Sequence, residues 1–150
     1  MSEREENRLI YRAHLLAQFV HTGQVDKSGN PYMRHVSRVA DSMHDPVDKI
    51  VAYLHDTIED GPHGIATVIA ATFGGEVASA VEAMSHRPHE AAEDYYARVR
   101  ENERAVRVKH ADLTDNSDRR RLALLATVDA ETADRLAAKY EKAKRLLAQR

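Results

Sequence analysis

Four side chains of this sequence join a reactive chemistry to an inward placement. His35 lies three residues after Tyr32 and four before Val39, and His55 lies four after Val51. Asp112 lies four after Val108 and seven after Ala105, so all three fall on apolar stripes at helical spacing. Asp56 follows His55 directly. An ionised carboxylate buried without a partner is costly, so two such carboxylates beside two inward imidazoles need an explanation. Two answers fit the spacing. One is a pair of buried His–Asp hydrogen bonds. The other is a divalent cation shared by all four, whose charge is balanced by two aspartates and two neutral histidines. In that case neighbouring side chains on a helix, splayed by about 100°, grip the ion from two sides. Four mixed nitrogen and oxygen ligands would leave two octahedral positions open. Such a set suits Mn²⁺, Fe²⁺, Co²⁺ or Ni²⁺ and accommodates Zn²⁺. An open site of this kind is a hydrolase design, working by Lewis acidity and by making a nucleophile of water.

Glu59 and Asp60 stand one turn further on, just before Gly61-Pro62. At the C-terminus of a helix over 46–59 their charge opposes the macrodipole. That unfavourable placement points to chemistry, namely orienting or deprotonating the attacking water. His14, His44, His63, His86 and His89 fall at helix ends, in loops or at polar positions, and solvated or capping roles are expected for them.

The elements that must position these groups are helical. Leu9, Ala13, Leu16, Ala17 and Val20 repeat at helical intervals, as do Val47, Ile50, Val51, Leu54 and Ile58, and Ala133, Leu136, Ala137, Tyr140 and Leu147. The prolines mark boundaries. Asn30-Pro31 and Asp45-Pro46 read as N-cap plus first helical residue, and Gly61-Pro62 as a stop. Helices are expected at about 5–22, 31–43, 46–59, 64–73, 75–86, 90–101, 103–118 and 129–149, forming a single all-α domain over 1–150. The run Arg119-Arg120-Arg121 reads as a solvated connector.

Composition narrows the function classes. With no cysteine, disulfides, thiolate zinc sites, iron–sulfur clusters and cysteine nucleophiles are excluded. A net charge of −2 argues against wholesale binding to nucleic acid or to an anionic membrane. The longest near-apolar run, Ile65 to Phe73, has about half the length a bilayer requires. The charged N-terminus lacks the apolar core of a signal peptide, so a cytoplasmic location is expected. Oligomeric state is not legible.

Four ordered segments carry a resemblance. They are His21-Thr22-Gly23-Gln24 continuing through Lys27-Ser28-Gly29-Asn30-Pro31-Tyr32 to His35, then Leu54-His55-Asp56-Thr57-Ile58-Glu59-Asp60, then Arg87-Pro88 with Glu93-Asp94-Tyr95, and Val108-Lys109-His110-Ala111-Asp112-Leu113 through Asn116. Together they resemble the HD superfamily of metal-dependent phosphohydrolases, and within it the hydrolase domain of the RelA/SpoT group and its small alarmone hydrolases. The resemblance implies a compact bundle of about eight helices. It implies that His35, His55, Asp56 and Asp112 bind a metal, usually manganese, and that Glu59 and Asp60 serve the attacking water and the leaving step. It further implies that Asn116 contacts the nucleotide sugar and that Lys27, Ser28 and Tyr95 surround the nucleotide. The reaction implied is removal of the 3′-pyrophosphate of (p)ppGpp.

One departure bears on the substrate. Asp26 stands where the ppGpp hydrolases usually carry an arginine that stacks on guanine, and a carboxylate cannot stack in that way. Loss of such a stack weakens base binding by about 1–3 kcal/mol. A different nucleotide or a phosphomonoester, or a binding module without turnover, are therefore the competing expectations.

Overall fold

The computed structural model describes all residues from Met1 to Arg150. Ten helices follow in order: α1 (Glu3–His21), α2 (Tyr32–Asp41), α3 (Pro46–Leu54), α4 (Thr57–Asp60), α5 (Ile65–Phe73), α6 (Gly75–Met84), α7 (Ala92–Arg100), α8 (Glu103–Asn116), α9 (Arg119–Ala126) and α10 (Ala130–Leu147). The all-α expectation holds. Extended pairing is confined to a bridge between Val25 and Pro31 that closes the loop joining α1 to α2. No helix is long and apolar enough to cross a membrane.

Side-chain caps set many of the starts. Ser2 and Glu5 form a capping box on α1, Asp45 caps α3 with Pro46 at its first turn, and Asn102, Asp118 and Asp129 cap α8, α9 and α10. The expected Asn30 cap on α2 does not form. Pro31, at φ −54° and ψ 127°, lies outside the helix because its backbone is engaged in the bridge to Val25. A second difference is α9, which occupies the stretch expected to be a connector. Asp118 caps it, and Leu122 and Leu125 pack it onto Ala133, Leu136 and Tyr140 of α10.

The third difference shapes the site. The helix expected over 46–59 breaks at His55 and Asp56, leaving α4 as a single turn. The His55 imidazole takes the Ala52 carbonyl at 2.6 Å, and the Thr57 hydroxyl takes the Leu54 carbonyl at 2.7 Å. These bonds satisfy the carbonyls that a continuing helix would have used. Glu59 and Asp60 consequently lie in the short α4 rather than at the end of a long dipole. Their charges therefore oppose no long helix dipole, and their placement is not unfavourable on that ground. Beyond them, a Cβ at Gly61 would lie 2.4 Å from the Thr57 carbonyl oxygen, so the sharp exit from α4 requires glycine.

Helix α3 runs through the middle of the fold, packed on α1, α2, α6 and α8. Ile50, Val51, Ala52 and Leu54 are fully enclosed, and Ala13 and Ala17 let α1 approach them closely. Burial of each large aliphatic side chain contributes about 1.5–3 kcal/mol. The C-terminus of α3 is thereby held rigidly against α2 and α8, where the remaining ligand candidates sit.

Candidate metal centre and cleft

His35 comes from the inward face of α2, His55 and Asp56 from the break after α3, and Asp112 from the buried face of α8. His35, His55 and Asp56 each present a ligand atom within 4.8 Å of the others. Asp112 Oδ1 lies 2.9 Å from His35 Nε2 and 3.4 Å from His55 Nε2, and Asp56 Oδ2 lies 3.1 Å from His55 Nε2. The break, rather than a continuous helical splay, lets consecutive residues face one point.

Whether these residues fit a cation is decided by His55. Its Nδ1 donates to the Ala52 carbonyl, which leaves Nε2 as the lone-pair nitrogen of the neutral ring. That Nε2 is buried and has no hydrogen-bond partner. A lone pair facing two carboxylates is repulsive unless a proton or a cation lies among them. Two imidazole nitrogens and two carboxylates are a donor set that divalent transition metals accept. The residues fit.

Surrounding groups hold the carboxylates ionised. Burial alone would raise the Asp112 pKa, but the Lys109 ammonium at 3.0 Å, with His35 and His55, drives it well below the usual range. Asp56 is likewise opposed by burial yet held at about 2 by His55. The Tyr32 hydroxyl donates to Asp56 Oδ2. On the imidazole side burial again works against charge, and the facing carboxylates overcome it, raising His35 and raising His55 well above 6.5.

These directions predict how pH acts on stability. The raised histidines contribute stability that is complete below their unfolded value near 6.5 and is lost as pH rises through their folded values. The lowered aspartates contribute stability that is complete above their unfolded value of 3.8 and is lost as pH falls through their folded values. Without metal, the cluster therefore stabilises most between about pH 4 and 6.5. Because a cation needs the imidazole nitrogens free of protons, the gain in Tm from added Mn²⁺ should be larger at pH 8 than at pH 6. Thermal melts across this range, with and without the ion, test this. A gain that is flat with pH would contradict it.

Two neighbouring cavities lie beside the centre, the larger one reaching Asp56 and Asp112. One, of about 610 Å³, is lined by Asp56, Glu59, Asp112, His86, Tyr96 and Lys109, with Arg135, Lys139 and Lys142 of α10 opposite. The other, of about 430 Å³, is lined by Lys27, Ser28, Arg121, Leu122, Leu125 and Leu136, among others. Tyr32, Asn116 and Tyr140 border both. Asn116 donates to Asp112 Oδ1 at 3.2 Å.

Glu59 faces the larger cavity, and its Oε1 accepts the His86 N–H at 2.6 Å. Burial pushes its pKa up. Asp60 stands apart, accepting from Gln24 Nε2 at 3.1 Å, with His21 Nδ1 at 3.8 Å. Tyr95 corrects the expectation of a residue around the nucleotide. It is 0% exposed, its hydroxyl donates to the Met84 carbonyl at 2.6 Å, and His86 stacks over its ring at 3.6 Å. The wall it was expected to provide is made by His86 and Tyr96. Asp26 borders the smaller cavity with its carboxylate already engaged. Its Oδ1 accepts from the backbone N–H groups of Ser28 and Asn30, both at 2.9 Å, and its Oδ2 faces Arg121 at 3.3 Å.

Tyr32, Lys109, Asp115, Arg121 and the basic residues of α10 carried no weight in the sequence as members of the site. Lys109 and Asp115 flank Asp112 at i−3 and i+3 on α8, a helical adjacency that marks them as its neighbours. Arg121 and α10 carry no such signal, because tertiary packing alone brings them here.

The fold and donor set define a class: an α-helical domain whose consecutive His-Asp pair meets a histidine and an aspartate from two other helices. Residues 13–149 match the HD domain family model, and the chain belongs to the HD domain family. It is similar to the GTP pyrophosphokinase of Streptomyces coelicolor, at 40% identity over 62 residues, which is 39% of this chain and 7% of that protein. It is also similar to the GTP pyrophosphokinase of Myxococcus xanthus, at 37% identity over 83 residues, or 51% of this chain and 11% of that protein. The match thus spans a small part of these relatives' own length. Among solved structures, a metazoan ortholog of SpoT, reported to hydrolyze ppGpp and to play a role in starvation responses, superposes with a TM-score of 0.75. That similarity covers 93% of this chain and 85% of the other at 23% identity, and shows a shared fold.

Proposed function

We propose that the protein is a divalent-metal phosphohydrolase that removes the 3′-pyrophosphate of (p)ppGpp, with manganese as its ion. The observation that carries this reading is the buried, unpartnered Nε2 of His55 facing Asp56 and Asp112, which border a cleft with a basic wall. A divalent cation held by His35, His55, Asp56 and Asp112 supplies Lewis acidity toward a phosphoryl oxygen and acidifies water. The chain's own groups do the rest. Arg135, Lys139 and Lys142 offer cations to a pyrophosphate entering the larger cavity. Glu59, with its raised pKa, accepts the proton of the attacking water. Lys27, Ser28 and Asn116 border the second cavity, whose leucines and Tyr140 give a nucleoside an apolar seat.

The similarity to GTP pyrophosphokinases and to the fold of a ppGpp-hydrolyzing protein supports this substrate class. Manganese-loaded protein incubated with ppGpp should release pyrophosphate and GDP, measured by anion-exchange chromatography. Inorganic phosphate released from other nucleotides, with ppGpp left intact, would instead favour a different phosphohydrolase. Tight nucleotide binding without any product would make the chain a binding module.

A further inference from the structure

His35 raises a question that the four donors alone do not answer. To offer Nε2 toward the Asp112 side, its ring must carry a proton on Nδ1 and be held in plane by an acceptor there. Asp115 provides that acceptor, with Oδ2 at 2.6 Å from Nδ1. Asp115 is itself fixed from two other elements. Arg38 of α2 clamps both of its oxygens, Nε at 2.7 Å from Oδ1 and Nη2 at 3.1 Å from Oδ2. Arg121 of α9 places Nη1 at 2.7 Å from Oδ2 and at 3.0 Å from the Asp115 carbonyl.

The chain of contacts continues outward. Arg121 Nη2 reaches Asp26 Oδ2 at 3.3 Å, and Asp26 Oδ1 gathers the N–H groups of Ser28 and Asn30. Lys27, Ser28 and Arg121 border the smaller cavity. A continuous series of charged hydrogen bonds thus runs from the wall of that cavity to the back of His35.

We propose that Asp115 is a positioning residue that fixes the ring and tautomer of His35, and that Arg121 and Asp26 fasten the wall of the smaller cavity to this same support. The proposal rests on the metal-centre reading above but not on the identity of the substrate. A carboxylate behind a ligating imidazole sets its orientation and strengthens it as a donor, and losing one weakens metal binding by about tenfold to a hundredfold.

The test is direct titration of Mn²⁺ into the full chain, followed by electron paramagnetic resonance of the free ion. Asp115→Ala should raise the Kd by about tenfold to a hundredfold. Asp115→Asn, which keeps an acceptor for Nδ1 but loses the anionic hold on both arginines, should fall between it and the wild type. Asp48→Asn serves as the control. Asp48 is a buried carboxylate paired with Arg104 at 2.7 Å and Arg107 at 2.6 Å, away from the centre. It should lower Tm without moving the Mn²⁺ Kd. Arg121→Ala should raise KM for the nucleotide while shifting the Kd less than Asp115→Ala does. An unchanged Kd in both Asp115 variants, or an equal shift in Asp48→Asn, overturns the proposal. Wild-type protein that binds Mn²⁺ but releases no pyrophosphate would refute the alarmone assignment and leave this role of Asp115 standing.

Discussion

Asp112→Ala should lose divalent-metal binding and all turnover, and should also lose much of its stability. The reason is the number of charges that converge on one buried carboxylate. Asp112 accepts from Lys109 Nζ at 3.0 Å and Asn116 Nδ2 at 3.2 Å, and faces His35 Nε2 at 2.9 Å and His55 Nε2 at 3.4 Å. Lys109 has only 13% of its side chain exposed, so truncation leaves an ammonium enclosed beside the rings of Tyr95 and Tyr96. Stranding a buried charge in this way costs about 3–5 kcal/mol. In a chain of this size that corresponds to a fall in Tm on the order of 10 °C. Calorimetry and metal titration on the same sample measure both effects. Asp112→Ala protein that still binds one Mn²⁺ with wild-type affinity would refute the shared-cation reading of the four donors.

The second large effect concerns the two acidic residues of α4, which the sequence does not tell apart. Glu59→Gln should reduce the turnover number by about a hundredfold to ten-thousandfold, the usual worth of a positioned proton acceptor, while the metal stays bound. Gln preserves the hydrogen bond from the His86 N–H, so the loop after α6 is undisturbed and the proton-accepting oxygen alone is removed. Asp60→Asn should have a much smaller effect, because Asp60 is turned toward Gln24 and His21 and does not line the larger cavity. Steady-state assays of both variants decide the matter. A deeper loss in Asp60→Asn would reverse the assignment.

The helical class and the inward placement of His35, His55 and Asp112 are legible because each depends on local periodicity. Val51 marks the inward face on which His55 lies, and Val108 marks that of Asp112, before any tertiary contact is known. What escaped depends on competition or on distance. The break at His55 arises because the imidazole and the Thr57 hydroxyl outbid the next backbone N–H groups for the Ala52 and Leu54 carbonyls, which an apolar stripe cannot reveal. Tyr95 stands next to Tyr96 of the cleft, yet its ring fills the core and its hydroxyl finds the Met84 carbonyl. Asp115 and Arg121 became part of the site only when α2, α8 and α9 were brought together.

The inward turn of Asp26 bears on how this chain's selectivity can evolve or be redesigned. A single exchange to arginine there would not simply append a flat cation beside a purine. It would leave the Ser28 and Asn30 amides without their acceptor and set two guanidinium groups against each other across the position that Arg121 now occupies. Positions 26 and 121 are therefore coupled, and a redesign of one has to take account of the other.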